Sequence, residues 1–140
     1  MGETTGLMGD LSKHFDRAEL ECKCGCGEMK FTLEAIECLE DLRQEYGVPM
    51  RISSGYRCPT HNDAVSSTGL TGPHTIWVLD NVTVDVLEFG PNVYDLVEAA
   101  IAYQFTGIGL SQKDEISKRF IHLDRLPTTV ERPRPTIWTY

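Results

Sequence analysis

Residues 53–86 read SSGYRCPTHNDAVSSTGLTGPHTIWVLDNVTVDV, and the end of this stretch decides the fold. Val82, Val84 and Val86 alternate with Thr83, Asp85 and Leu87. That period of two predicts a strand over 82–87, with the valines on one face and Asp85 on the other. Upstream, residues 55–73 are dominated by Gly, Pro, Ser, Thr, Asn and Asp, the composition of a long loop. A loop this long in a compact domain is functional or disordered, and its polar residues favour function.

Working outward, residues 32–46 give the clearest helical signal. Leu33, Ile36, Leu39 and Leu42 recur at three-residue steps, flanked by Cys38 and Tyr46, and Glu34 suits the positive helix start. Gly47 and then Pro49 supply the stop. Residues 50–54 read as a short strand leaving that helix. Downstream, Pro91 opens a second helix with Val93, Leu96, Val97, Ala100 and Ile101 on one face. Residues 107–110 and 120–123 read as two further short strands, and a proline-rich tail follows. Residues 10–20 form a short capped segment anchored by Leu11, Phe15 and Leu20, with His14 expected at the surface. This order predicts a single α+β domain over 1–140, with helices on one face of a small, mainly antiparallel sheet and the other face left for chemistry.

Composition narrows the function. With 140 residues, 41% hydrophobic and 24% charged, the chain can bury one core without staples. Thirteen Lys and Arg against 21 Asp and Glu give a net charge of -8, which argues against a nucleic-acid partner. No apolar run approaches the length of a membrane span. Residues 1–5 lack the basic head and apolar run of a secretory signal, so accumulation in the cytoplasm is expected. Five cysteines are present, three of them clustered as C-K-C-G-C at Cys22, Cys24 and Cys26. This spacing is not the C-x-x-C of most structural zinc sites. A zinc knuckle and a disulfide to Cys58 both remain open, and Cys38 is expected to be a small core residue.

The strand period also places the candidate ligands. Ile121 and Leu123 share one face of the last strand, while Phe120, His122 and Asp124 share the other. If that strand neighbours 82–87 with both aliphatic faces toward the helices, Asp85 and His122 emerge on the same side. His74, on the loop entering the strand, can swing over them. Two imidazoles and one carboxylate, with a fourth position for water, make the pattern of a catalytic rather than structural zinc site. A hydrogen-bonded core histidine and a solvated aspartate are the plainer readings of the same residues.

Residues 54–62, SGYRCPTHN, resemble the S-G-Y-R-x-x-x-H-N motif of the zinc D-alanyl-D-alanine carboxypeptidases and L-alanyl-D-glutamate endopeptidases. That family shares its metal-site architecture with the Hedgehog signalling domain. The resemblance continues through His74, Asp85 and F-I-H-L-D at 120–124, and takes in L-S-K-H-F at 11–15, C-G-C-G at 24–27 and the tail R-P-T-I-W-T-Y, as in the small phage and bacterial branch. It implies one zinc ion held by His74, Asp85 and His122. It further implies that Arg57 polarises the scissile carbonyl or holds the substrate carboxylate; an arginine that merely orders the loop through an acid is the alternative. Trp138 either walls the cleft and meets substrate or anchors the tail. His61 and Asn62 hold the loop. The implied substrate is the peptidoglycan stem peptide, reached after release to the cell wall or from a virion.

Three departures from the family pattern stand out. His74 and Asp85 are farther apart than in the family's H-x-x-G-x-A-x-D, because residues 76–81 replace a compact turn, and this makes Asp80 a rival ligand. Where the family places a general-base carboxylate three positions before the last histidine, this chain has Arg119. Asp124 is the nearest substitute, with Asp114 or Glu115 as further candidates. Gly72 stands where a serine is common. An active peptidase is therefore expected, with a catalytically impaired wall-binding or virion module as the alternative.

Overall fold

The computed structural model describes residues 9–77 and 80–140. Residues 1–5 and the middle of the inserted turn, Val78 and Leu79, lie outside the described residues. The elements run α1 (Arg17–Leu20), α2 (Leu33–Tyr46), β1 (Arg51–Ser54), α3 (Pro59–Val65), β2 (Val84–Leu87), α4 (Pro91–Ala102), β3 (Gly107–Ser111), β4 (Phe120–Asp124) and β5 (Thr136–Thr139). Short 3-10 turns at Gly69–Thr71, Pro73–Thr75 and Ile116–Lys118 complete the order. The α+β class is as expected.

The five strands form one sheet in the order β1-β2-β4-β3-β5. Every neighbouring pair is antiparallel except β3 with β5. The sequence reading left the tail without a strand. Residues 136–139 nevertheless extend along the edge of β3, because Ile137 and Trp138 alternate in exposure there while the prolines at 133 and 135 precede the paired segment.

α2 begins where Thr32 accepts a hydrogen bond from the Ala35 N–H, and it stops at Gly47, whose φ of 78° is the left-handed conformation glycine adopts freely. Its buried stripe is Ala35, Ile36, Leu39, Leu42 and Tyr46, and Leu33, expected on that stripe, is 74% exposed. Three-residue steps drift off a 3.6-residue helix, so the first leucine of the run falls outside the core face. On α4, Leu96, Ala99 and Ala100 are buried and Ile101 is exposed, a rotation of the same kind. These faces join Val84, Val86, Ile108, Ile121 and Leu123 in one core.

The stretch 55–73 is less of a loop than its composition predicts. Pro59 occupies the first turn of α3, Cys58 caps it, and Asn62 is fully buried on it. Proline at the first helical position is a start signal, here overshadowed by the polar run that follows it. His14 is also not a free surface residue. Its Nδ1 lies 2.7 Å from Glu40, which accepts further hydrogen bonds from Ser12 and the His14 backbone. Burial pushes the Glu40 carboxyl up, but these bonds outweigh it and hold the group below its ordinary value.

Candidate metal centre

With the aliphatic residues of the central strands committed to the helices, the opposite face of the sheet carries the polar ones. Register aligns Ser54 of β1 with Asp85 of β2, Asp85 with His122 of β4, His122 with Gly109 of β3, and Gly109 with Trp138 of β5. One row across five strands thus carries two of the expected ligands. His74 arrives from the 3-10 turn Pro73–Thr75. Its Nε2 lies 3.4 Å from Asp85 Oδ1, and His122 Nδ1 lies 3.1 Å from the same oxygen. The two imidazole rings meet edge-on with centroids 5.1 Å apart, and all three residues are buried.

The far nitrogen of each ring is tied off. His74 Nδ1 lies 2.7 Å from the Gly55 carbonyl, which can only accept, so that nitrogen carries the proton and Nε2 keeps its lone pair. His122 Nε2 lies 2.8 Å from Asp124 Oδ2, which likewise places a proton there and frees Nδ1. Asp124 is itself gripped by Arg134, which donates from Nε to Oδ1 at 3.0 Å and from Nη2 to Oδ2 at 2.8 Å. The Leu126 N–H adds a further bond to Oδ1. Two ring lone pairs and a carboxylate oxygen therefore converge. A proton on His122 relieves one of the two contacts, whereas a divalent cation relieves both. For metal bonds of about 2.0–2.1 Å the edge of a tetrahedron is about 3.3 Å, so the donor spacings suit zinc.

Charge follows this geometry. Burial would raise the Asp85 carboxyl, but His74 and His122 outweigh it and hold the group well below the usual carboxylate range. Asp124 behaves alike: burial opposes its charge, while hydrogen bonds from His122 and Arg134 keep it ionised. Burial would lower the His122 ring, yet Asp124 and Asp85 together raise it to about 8.

Beside the ligands opens a cleft of about 320 Å³ lined by Arg57, Pro73, Phe120, Trp138 and Tyr140 among others. Arg57 donates from Nε to Ser54 Oγ and from Nη1 to Asn62 Oδ1, both at 3.0 Å, and its Nη2 lies 3.5 Å from Asp85 Oδ2. Trp138 leans over His122 with ring centroids 5.2 Å apart. Two glycines make this possible. A Cβ on Gly109 would stand 2.7 Å from the Trp138 indole, and one on Gly107 would stand 2.4 Å from the Asp124 carboxylate. Gly72, the third departure, is similarly required here, since a Cβ would come within 2.0 Å of Thr68 Oγ1.

The structure brings His74, Asp85, His122, Arg57 and Trp138 together. Asp80 stands apart, paired with Arg125 at 2.9 Å. Asp124 sits behind His122 with no exposed surface and both oxygens engaged, a poor position for the base expected of it. Asp114 and Glu115 are on the exposed loop before β4, where Glu115 faces Lys118. Arg134, Gly107 and Gly109 were missed by the sequence reading. The G-I-G repeat on a strand was the available signal, since glycine inside a strand often marks a close approach.

A buried two-histidine, one-carboxylate cluster on the open face of an α+β sheet, flanked by an arginine, is the constellation of a metal-dependent hydrolase. Comparison with protein-family models matches residues 13–124 to peptidase M15, and the chain belongs to that family. Curated proteins and solved structures give no match. The family and the donor clusters support a metal-dependent peptidase acting on a peptide substrate. Among the described residues, no helix is long and apolar enough to cross a membrane.

Proposed function

We propose that this chain is a zinc peptidase of the peptidoglycan stem peptide, a D,D-carboxypeptidase or an L,D-type endopeptidase, with zinc held by His74, Asp85 and His122. The observation that carries this reading is the tying-off of both rings, which leaves His74 Nε2 and His122 Nδ1 facing Asp85 beside an open cleft. Hydrogen-bond partners behind the ligands fix ring orientation and raise ligand basicity. Bound there, zinc supplies a Lewis acid that makes water nucleophilic near neutral pH.

The remaining work belongs to the chain. Arg57, immobilised by Ser54 and Asn62, presents a fixed cation to the substrate carbonyl as its oxygen gains charge. The contact of its Nη2 with Asp85 Oδ2 orders the loop and aims the guanidinium at the cleft. Trp138 and Tyr140 wall the cleft and exclude water from one side. Asp124 is a positioning residue that acts through His122.

A second reading, a wall-binding or virion module without turnover, is favoured by one observation. Among the described residues lining the cleft, Asp85 is the only carboxylate, and it is committed as a ligand. The test is purified peptidoglycan incubated with zinc-loaded protein and with the His122→Ala variant. Release of D-alanine identifies the carboxypeptidase, and new amino ends identify the endopeptidase. Zinc-loaded protein that binds the wall but releases neither product supports the module, and protein that takes up no zinc at the histidine site defeats the peptidase reading.

A further inference from the structure

A second cluster lies outside the histidine site. Cys22, Cys24, Cys26 and Cys58 bring their sulfurs within 4.8 Å of one another. Cys22 Sγ is 3.4 Å from Cys24 Sγ and 3.7 Å from Cys58 Sγ, and Cys24 Sγ is 3.7 Å from Cys58 Sγ. All are free thiols, and Cys24 and Cys26 are exposed, so hydrophobic burial does not explain their convergence. Zinc–sulfur bonds of about 2.3 Å at tetrahedral angles require sulfurs about 3.8 Å apart, whereas a disulfide requires about 2.0 Å. We propose that these four cysteines form a structural zinc site with an all-thiolate ligand set.

The backbone around them supports the assignment. Gly25 and Gly27 take φ values of 91° and 78°, which let the chain turn back sharply enough for every second residue from 22 to 26 to face one point. The Cys22 N–H closes the loop on the Glu28 carbonyl at 2.8 Å, and Arg17 donates to the Gly27 carbonyl at 2.7 Å. The Cys58 N–H points to Cys22 Sγ and the His61 N–H to Cys58 Sγ, each at 3.4 Å, so backbone donors already face the sulfurs that would carry negative charge. Four donors from a closed site leave no open position, which suits a structural rather than catalytic ion.

The location gives the site a purpose. Cys58 follows Arg57 directly and caps α3, the helix whose Asn62 holds the Arg57 guanidinium. An ion joining Cys58 to the loop after α1 pins the segment that presents Arg57 to the cleft.

Elemental analysis of protein purified from zinc-supplemented medium under reducing conditions should give two zinc ions per chain. His122→Ala should lose one, and the Cys24→Ser, Cys26→Ser double variant should lose the other. Cobalt substitution provides the second measurement and needs no cysteine variant. Wild type and His122→Ala should both show an intense thiolate-to-cobalt charge-transfer band. Its absence from folded, reduced wild-type protein overturns the four-thiolate site, as does a disulfide within the cluster of protein purified without added reductant. Because the histidine site has no thiolate, loss of zinc from it leaves this band intact, so the two sites fail independently.

Discussion

Asp124→Asn tests the chain of contacts behind the metal centre. The carboxylate is fully buried and takes hydrogen bonds from His122 Nε2, from Arg134 twice and from the Leu126 N–H. Asparagine keeps the shape but replaces one accepting oxygen with an amide that donates. Whichever way the amide turns, its NH2 confronts a donor, either Arg134 with His122 or Arg134 with Leu126. At least one buried donor is left unsatisfied, at about 1–3 kcal/mol. If the amide faces the ring, His122 must place its proton on Nδ1, the atom that should hold the metal. Loss of such a partner behind a ligand typically weakens metal binding about 10–100-fold, or about 1.4–2.7 kcal/mol. Competition with a chromophoric zinc chelator measures the affinity, and thermal unfolding of metal-free protein separates it from stability. An Asp124→Asn variant that folds and holds zinc as tightly as wild type refutes the positioning role, because the ring would then need no partner at Nε2.

Three further outcomes follow from the same geometry. Asp85→Asn should abolish zinc binding at the histidine site, whereas Asp80→Asn should leave it unchanged and cost only a half-buried ion pair with Arg125, worth about 1 kcal/mol; elemental analysis decides, and the reverse result reassigns the ligand. Gly107→Ala should destabilise the chain by about 1–3 kcal/mol in urea unfolding, since its Cβ meets a carboxylate that Arg134 prevents from yielding. Glu40→Gln should flatten the acid limb of the stability profile. The folded carboxyl of Glu40 lies below its ordinary value of about 4.3, so its contribution is present above that pH and disappears as pH falls through the folded value. Acid-unfolding midpoints that coincide for wild type and Glu40→Gln would show that the His14 contact contributes nothing.

What could be read from the sequence was what periodicity encodes. Alternation in 82–87 and 120–124 assigned Asp85 and His122 to the face opposite the valines, and the register of β2 with β4 puts them side by side. Periodicity says nothing about partners distant in sequence. Arg134 grips Asp124 from a segment whose prolines suggested only an irregular tail, and no local pattern marks it as the partner of the carboxylate behind His122. The same blindness produced the expectation that Asp124 acts as a base: sharing a face with His122 is legible, whereas being enclosed behind it is not.

The cysteines show a complementary limit of reading local spacing. Judged as spacing along the chain, Cys-x-Cys-x-Cys argued against a metal site, because structural zinc ligands recur as C-x-x-C on tight knuckles. Two left-handed glycines remove that objection by turning the loop so that alternate residues converge, and Cys58 completes the set from beyond α2 and β1. The fourth donor adjoins the residue with the strongest claim to touch substrate. A site that looks separate in sequence is thereby coupled to the cleft through one peptide bond, between Arg57 and Cys58. If zinc occupies both clusters, stripping the thiolate ion alone should reduce turnover by loosening Arg57 while His74, Asp85 and His122 keep their metal.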